Sequence, residues 1–268
     1  MRNRPVFLFF ISRRRLALIG VLFAGFFCLS LLLGGASALM NSEIALQWPV
    51  IGPPRGAQTG KPPELPPELL SARPLQGLVI AVDPGHGGSD RGVCHFPDEL
   101  IEKEINLDMA GRLKTLLEAA GAQVLLTRAE DTYLSLDERA EAANKAGAHL
   151  FLSLHVNRIP GHPECFGAQT FYFPGSPDGE RLAALIQEEL IKADPENYRD
   201  PLPGSYRVLR LTTMPGALVE IGFMTNERDR ALMATDEYRN RIAQAIMLGV
   251  IRFVGQRSIT AEKDGTRS

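Results

Sequence analysis

Val79 to Gly88 reads Val-Ile-Ala-Val-Asp-Pro-Gly-His-Gly-Gly. Four apolar, mostly β-branched residues mark a strand buried on both faces of a parallel sheet. Pro84 and the glycines stop that strand abruptly, and His86 sits on the sharp turn they make. An open α/β sheet keeps its ligands just past the carboxyl ends of its strands. A lone histidine there is more often structural than functional. Its meaning therefore depends on what the rest of the chain brings to the same sheet edge.

Two further apolar runs end the same way. His149 to Leu154 reads as a parallel strand delivering His155 at its carboxyl end, with Asn157 just beyond. Ala217 to Val219 is a fully apolar strand ending in Glu220. Between the first two runs, a helix is expected from about Ile101 to Ala120, closed by Gly121. Its apolar stripe is Ile105, Met109, Leu113 and Leu116. Glu102 falls on that stripe, whereas Glu104, Asp108 and Arg112 are expected on the opposite, solvated face. A carboxylate at the inward edge of an apolar face is costly unless it is paired or binds a metal. The plainer reading of Glu102 is a first-turn acid favoured by the helix dipole.

Strands are also expected over 122–127 and 168–173, and helices over 136–146, 178–192 and 237–254, with Asn226 capping another. The irregular, proline-rich loop from Asp194 to Gly204 suits a cleft wall, and a polar tail is expected from Ser258. Arg128 and Arg139 are expected chiefly to tie loop and helix together; Arg128 and Asn157 are also kept as candidate substrate contacts. His95 and His162 fall in loops, and His149 starts a strand, where it packs or caps. Cys94 and Cys165 both follow candidate site strands, so a disulfide or reactive-thiol role stays open, with two plain loop cysteines as the default. No C-x-x-C spacing argues for a cysteine zinc site.

The amino terminus addresses the chain outward. Arg2, Arg4 and Arg13 to Arg15 precede Leu16 to Met40, a run with no charged residue. Such a run spans a hydrocarbon core of ~30 Å, and the positive flank stays cytoplasmic. Ala36-Ser37-Ala38 also fits a cleavage site, which would make the protein secreted; an uncleaved anchor is preferred because the run is long. The expected organisation is a basic cytoplasmic segment over 1–15 and a membrane anchor over 16–40. A proline-rich linker over 41–74 carries eight prolines, one catalytic domain covers 75–257, and a polar tail covers 258–268. A net charge of −2 gives no field for nucleic acid.

In a parallel sheet His86, His155 and Glu220 share one edge, and Glu102 on the first helix can join them. Two histidines, one carboxylate and a water make the open zinc site of a hydrolase, while a further carboxylate moves the proton. On spacing alone, Glu102 and Glu220 are interchangeable as ligand and base.

The motifs Asp83-Pro84-Gly85-His86-Gly87-Gly88, Glu102-Lys103 with Asn106-Leu107, Ser153-Leu154-His155-Val156-Asn157, and Leu218-Val219-Glu220-Ile221-Gly222-Phe223 with Asn226 occur in this order. Over residues 77 to 254 the chain resembles the zinc-dependent N-acetylmuramoyl-L-alanine amidases. The resemblance implies one zinc per chain held by His86, Glu102 and His155, with Glu220 as the catalytic carboxylate. It implies an α/β fold: a three-layer, twisted, mostly parallel sheet with helices on both faces. The implied substrate is the amide between the muramic acid lactyl group and L-alanine in peptidoglycan.

Gly167 to Tyr172, Pro174-Gly175-Ser176 and Arg181-Leu182-Ala183 resemble the germination-specific, sporulation-linked type. That type implies work outside the cytoplasmic membrane, in the spore intermembrane space, and functional coupling to a polysaccharide deacetylase. A monomer is expected. Asp90-Arg91-Gly92 departs from the more usual Asp-Pro-Gly of the His86 loop, which touches loop shape rather than the ligands. A non-catalytic peptidoglycan-binding protein on the same fold, or another zinc peptidase of the stem peptide, are the competing readings.

Overall fold

Six strands form the central sheet of the computed structural model, which describes residues 71–265, with side chains through 257. In chain order they are β1 (Val79–Pro84), β4 (Gln123–Leu126), β5 (Leu150–Asn157), β6 (Gln169–Tyr172), β7 (Leu202–Pro203) and β8 (Gly216–Phe223). Across the sheet the order is β4-β1-β5-β8-β6-β7. The pairs β1–β4, β1–β5, β5–β8 and β6–β7 are parallel, and only β6–β8 is antiparallel. Two short strands, β2 (Cys94–His95) and β3 (Leu100–Ile101), make a separate hairpin after the His86 turn.

The helices are α1 (Glu102–Ala119), α2 (Leu136–Lys145), α3 (Pro177–Ala193), α4 (Arg207–Leu211), α5 (Glu227–Met233) and α6 (Asp236–Gly265). Sequence-encoded caps start several of them. Ser135 and Glu138 form a reciprocal capping box on α2, Ser176 caps α3 ahead of Pro177, and Asn226 caps α5. His149 Nδ1 accepts the Val79 N–H at 3.0 Å, so it caps the start of β1 as expected.

Side chains alternate across the strands and divide the core in two. Ile80, Val82, Leu152, Leu154, Val219 and Ile221 pack under α1, α3 and α6. Ala81, Phe151 and Leu218 face the other way, against Ala143 of α2 and Val208 and Leu209 of α4. The same alternation puts Asp83, Ser153, His155 and Glu220 on the α2/α4 side. The sheet thus carries helices on both faces.

The α3–α6 contact is tight because Gly249 has no side chain. A Cβ there would lie 2.6 Å from Ile186 Cα and 2.8 Å from Ile186 N, backbone that cannot swing aside. Gly249→Ala is expected to destabilise the fold by about 1–3 kcal/mol, the usual scale of overpacking, read as a lower thermal midpoint. An unchanged midpoint would show that the helices separate freely.

Several expectations change. The Asp108–Arg112 face of α1 is not solvated: α6 covers it. Arg112 donates to Asp108 at 2.8 Å and to Asn240 at 2.6 Å, and also pairs with Asp236, while Arg239 reaches Asp108 at 3.1 Å. Polar periodicity cannot distinguish water from a neighbouring helix that brings complementary charges. The last helix runs to Gly265, past its expected end at Val254 and into the expected polar tail. Cys94 and Cys165 are unpaired thiols. The expected anchor and nearly all of the linker, with Cys28, lie outside the described residues. Among the described residues no helix is long and apolar enough to cross a membrane.

Candidate metal centre

His86 sits at φ 61, in the left-handed region that few non-glycine residues occupy. The turn is pinned on its outer side, with Gly87 and Asp90 exchanging backbone hydrogen bonds at 2.9 and 3.1 Å. His86 Nδ1 donates to Asp90 Oδ2 at 2.8 Å, which orients the ring and aims Nε2 at Glu102 Oε1, 3.0 Å away. His155, at the end of β5, brings its Nδ1 to 3.0 Å from the same oxygen. The two rings meet edge-on with centroids 5.0 Å apart. Gly85 permits this approach: a Cβ on it would fall 2.2 Å from the His155 ring.

Glu102 is the first residue of α1 and is 2% exposed. Val156 N–H donates to its Oε1 at 3.0 Å and Val93 N–H to its Oε2 at 2.8 Å. Burial pushes the Glu102 carboxyl up, but hydrogen bonds from His155 and His86 outweigh it and hold the group well below the carboxylate range. Burial likewise opposes charge on His86, yet Glu102 and Asp90 drive its pKa up to about 9.

One ligand atom from each of His86, Glu102 and His155 lies within 4.8 Å of the others. Two imidazole nitrogens and a carboxylate oxygen at that spacing are the donor set of a three-ligand zinc site. Asp90 on the far nitrogen of His86 is the outer carboxylate such sites use to fix a ligating imidazole. The residues present fit the metal.

Glu220 stands apart from that cluster. It is in register with His155 on the neighbouring strand, is 7% exposed, and its Oε2 has no hydrogen-bond partner. Burial pushes its carboxyl up to about 7; Glu102 adds to the rise, and His155 and His86 oppose it. A carboxyl with that pKa is poised to take and return a proton at neutral pH.

Asn157 lies at the same edge, opposite Phe223 across an irregularity in the β5–β8 ladder, and its Oδ1 accepts the Arg158 N–H at 2.7 Å. Arg128 is elsewhere: it lies behind the His86 turn, 3% exposed, with its donors on backbone carbonyls. A substrate contact does not fit that enclosure. Asp90 was missed as a partner of His86 because the four-residue spacing runs through a loop, where no helical period relates them.

A family model described as N-acetylmuramoyl-L-alanine amidase matches residues 80–252. The chain belongs to this family. Among the amidases it resembles, the germination-specific N-acetylmuramoyl-L-alanine amidase of Bacillus subtilis (strain 168) is 34% identical over 196 residues, covering 67% of this chain and 81% of the relative. The sporulation-specific N-acetylmuramoyl-L-alanine amidase of the same strain is 36% identical over 171 residues, covering 62% of this chain and 64% of the relative. The CwlD amidase from Clostridioides difficile, solved in complex with the GerS lipoprotein, superposes with a TM-score of 0.63 at 31% identity, over 67% of this chain and 99% of that one. The amidase AmiC2 of Nostoc punctiforme gives 0.63 at 32% identity, with 67% and 99% coverage.

Proposed function

We propose that this amidase hydrolyses the amide joining the muramic acid lactyl group to L-alanine in peptidoglycan, using one zinc held by His86, Glu102 and His155. The convergence of those three donors beside a buried, unpartnered carboxyl carries the reading. Bound by these residues, zinc would supply Lewis acidity toward the amide carbonyl and would lower the pKa of a water to ~7. Glu220 takes the proton of the attacking water and passes it to the alanine nitrogen as the C–N bond breaks, leaving a lactyl carboxylate and a free stem peptide. The two backbone N–H bonds on Glu102 fix its carboxylate plane, and Asp90 fixes the His86 tautomer. The Asn157 carboxamide is the proposed substrate contact at this edge.

Labelling new amino termini after digestion of purified muropeptides tests the reaction. Amino-terminal alanine is the expected product. Another amino-terminal residue would indicate a stem-peptide endopeptidase, and no new terminus a binding protein. Removing the outer carboxylate in Asp90→Ala is expected to weaken zinc binding ~10–100-fold, measured by competition with a chromophoric chelator; native affinity in that variant would contradict the role given to Asp90.

The cellular role we infer is on spore cortex, supported by the similarity to the germination- and sporulation-specific relatives. The enzyme acts outside the cytoplasmic membrane, held there by its amino-terminal segment. It bares muramic acid, and a deacetylase then lets the lactyl group close into muramic-δ-lactam. A strain lacking the gene is expected to divide normally and to make cortex without muramic-δ-lactam. Chained cells with unaltered cortex would point to cell separation instead.

A further inference from the structure

Three consecutive carbonyls of the His86 turn are held by two buried arginines. Pro84 O accepts from Arg128 Nε at 2.9 Å and from Arg139 Nη1 at 2.8 Å. Gly85 O accepts from Arg128 Nη2 at 2.9 Å, and His86 O accepts from Arg139 Nη2 at 2.7 Å. Both side chains are enclosed. Buried guanidiniums are tolerated only where their hydrogen bonds and charge are met.

The same two forks reach the segments that carry the other ligands. Arg128 Nη2 also donates to Lys103 O at 2.9 Å, one residue past Glu102. Arg139 Nη1 pairs at 2.9 Å with Asp83, which is fully buried. The other Asp83 oxygen accepts from Ser153 Oγ at 2.8 Å, two residues before His155 on β5. Thr127 Oγ1 completes Asp83 from the end of β4. Every segment that bears a metal donor is therefore tied to one Asp83–Arg139–Arg128 cluster. The arginine fork suits this task, because its fixed planar donors set the direction of two carbonyls at once.

We propose that Arg128 and Arg139, keyed by Asp83, are positioning residues that set the relative placement of His86, Glu102 and His155 and so the affinity of the centre for zinc. This rests on the zinc reading above. Neither arginine meets the metal or the substrate; each acts through the backbone of the ligand segments. Lysine keeps the charge at either position but has no fork and cannot hold two carbonyls in a fixed plane.

The test uses the full chain, with zinc affinity measured by chelator competition, the visible spectrum of the cobalt(II)-substituted protein, and the thermal midpoint recorded together. Arg128→Lys and Arg139→Lys are expected to bind zinc ~10–100-fold more weakly, the range for outer-shell changes, with altered cobalt bands at temperatures where they remain folded. Gly249→Ala, which loosens the distant α3–α6 contact, should lower the midpoint and leave zinc affinity and cobalt spectrum as in the native chain. Ser153→Ala removes only the hydroxyl joining Asp83 to β5. It should shift zinc affinity in the same direction by less, and it keeps the test decisive if a lysine variant does not fold. Folded lysine and Ser153→Ala variants with native zinc affinity and native cobalt bands would overturn the proposal while leaving the zinc enzyme intact. A native chain that takes up no zinc would overturn the metal reading and this proposal together.

Discussion

Exchanging His155 for alanine is expected to leave the chain without bound zinc and to reduce amide hydrolysis to background. The imidazole supplies one of the three donors that converge among the described residues, and two ligands do not hold zinc in an open hydrolytic site. The loss is felt by one of the two remaining ligands, since a hydrogen bond from His155 helps keep buried Glu102 charged. Elemental analysis of purified protein checks this, with about one zinc per native chain and nearly none in His155→Ala. Stoichiometric zinc retained by a His86→Ala, His155→Ala double variant would remove the ligand assignment altogether.

Glu220→Gln is expected to lose roughly 10²–10⁴-fold in turnover, the scale of general acid–base catalysis, while binding zinc normally. Glutamine keeps the size and can still accept a hydrogen bond, but it cannot receive the water proton. The proposed division of roles rests on the contrast between the two carboxylates: Glu102 accepts two backbone N–H bonds and meets both histidines, whereas Glu220 Oε2 is buried with no partner. Zinc content and single-turnover rate measured on the same preparation distinguish the outcomes. If zinc leaves with the substitution, Glu220 is a ligand, and Glu102 becomes the candidate base.

Much of this centre can be read in the chain because strand and ligand are encoded together. The β1 and β5 runs are apolar enough to be buried parallel strands, with His86 just past the end of the first and His155 near the end of the second, so the same runs mark both the sheet and the edge where the two histidines meet. Choosing between Glu102 and Glu220 was beyond spacing. That choice depends on where the loop before β2 and the end of β5 present the N–H groups of Val93 and Val156, which no local pattern records. That Arg128 and Arg139 tie loop and helix together was legible, but the atoms they hold were hidden for a related reason. Arg128 and Arg139 lie 44 and 55 residues from the Pro84 carbonyl they share, and Arg128, which bonds only backbone oxygens, leaves no partner motif to find. The Asp108–Arg112 face misled because ion pairs with α6 look, in sequence, like a wet surface.

Zinc K-edge X-ray absorption of the purified native chain tests the central claim most directly, because it reports the metal's own neighbours. Two imidazole rings at ~2.0–2.1 Å and a carboxylate oxygen at ~2.0–2.2 Å are expected. A sulfur neighbour at ~2.3 Å, from Cys94 or Cys165, or a native site with a single imidazole, would contradict a centre built from His86, Glu102 and His155.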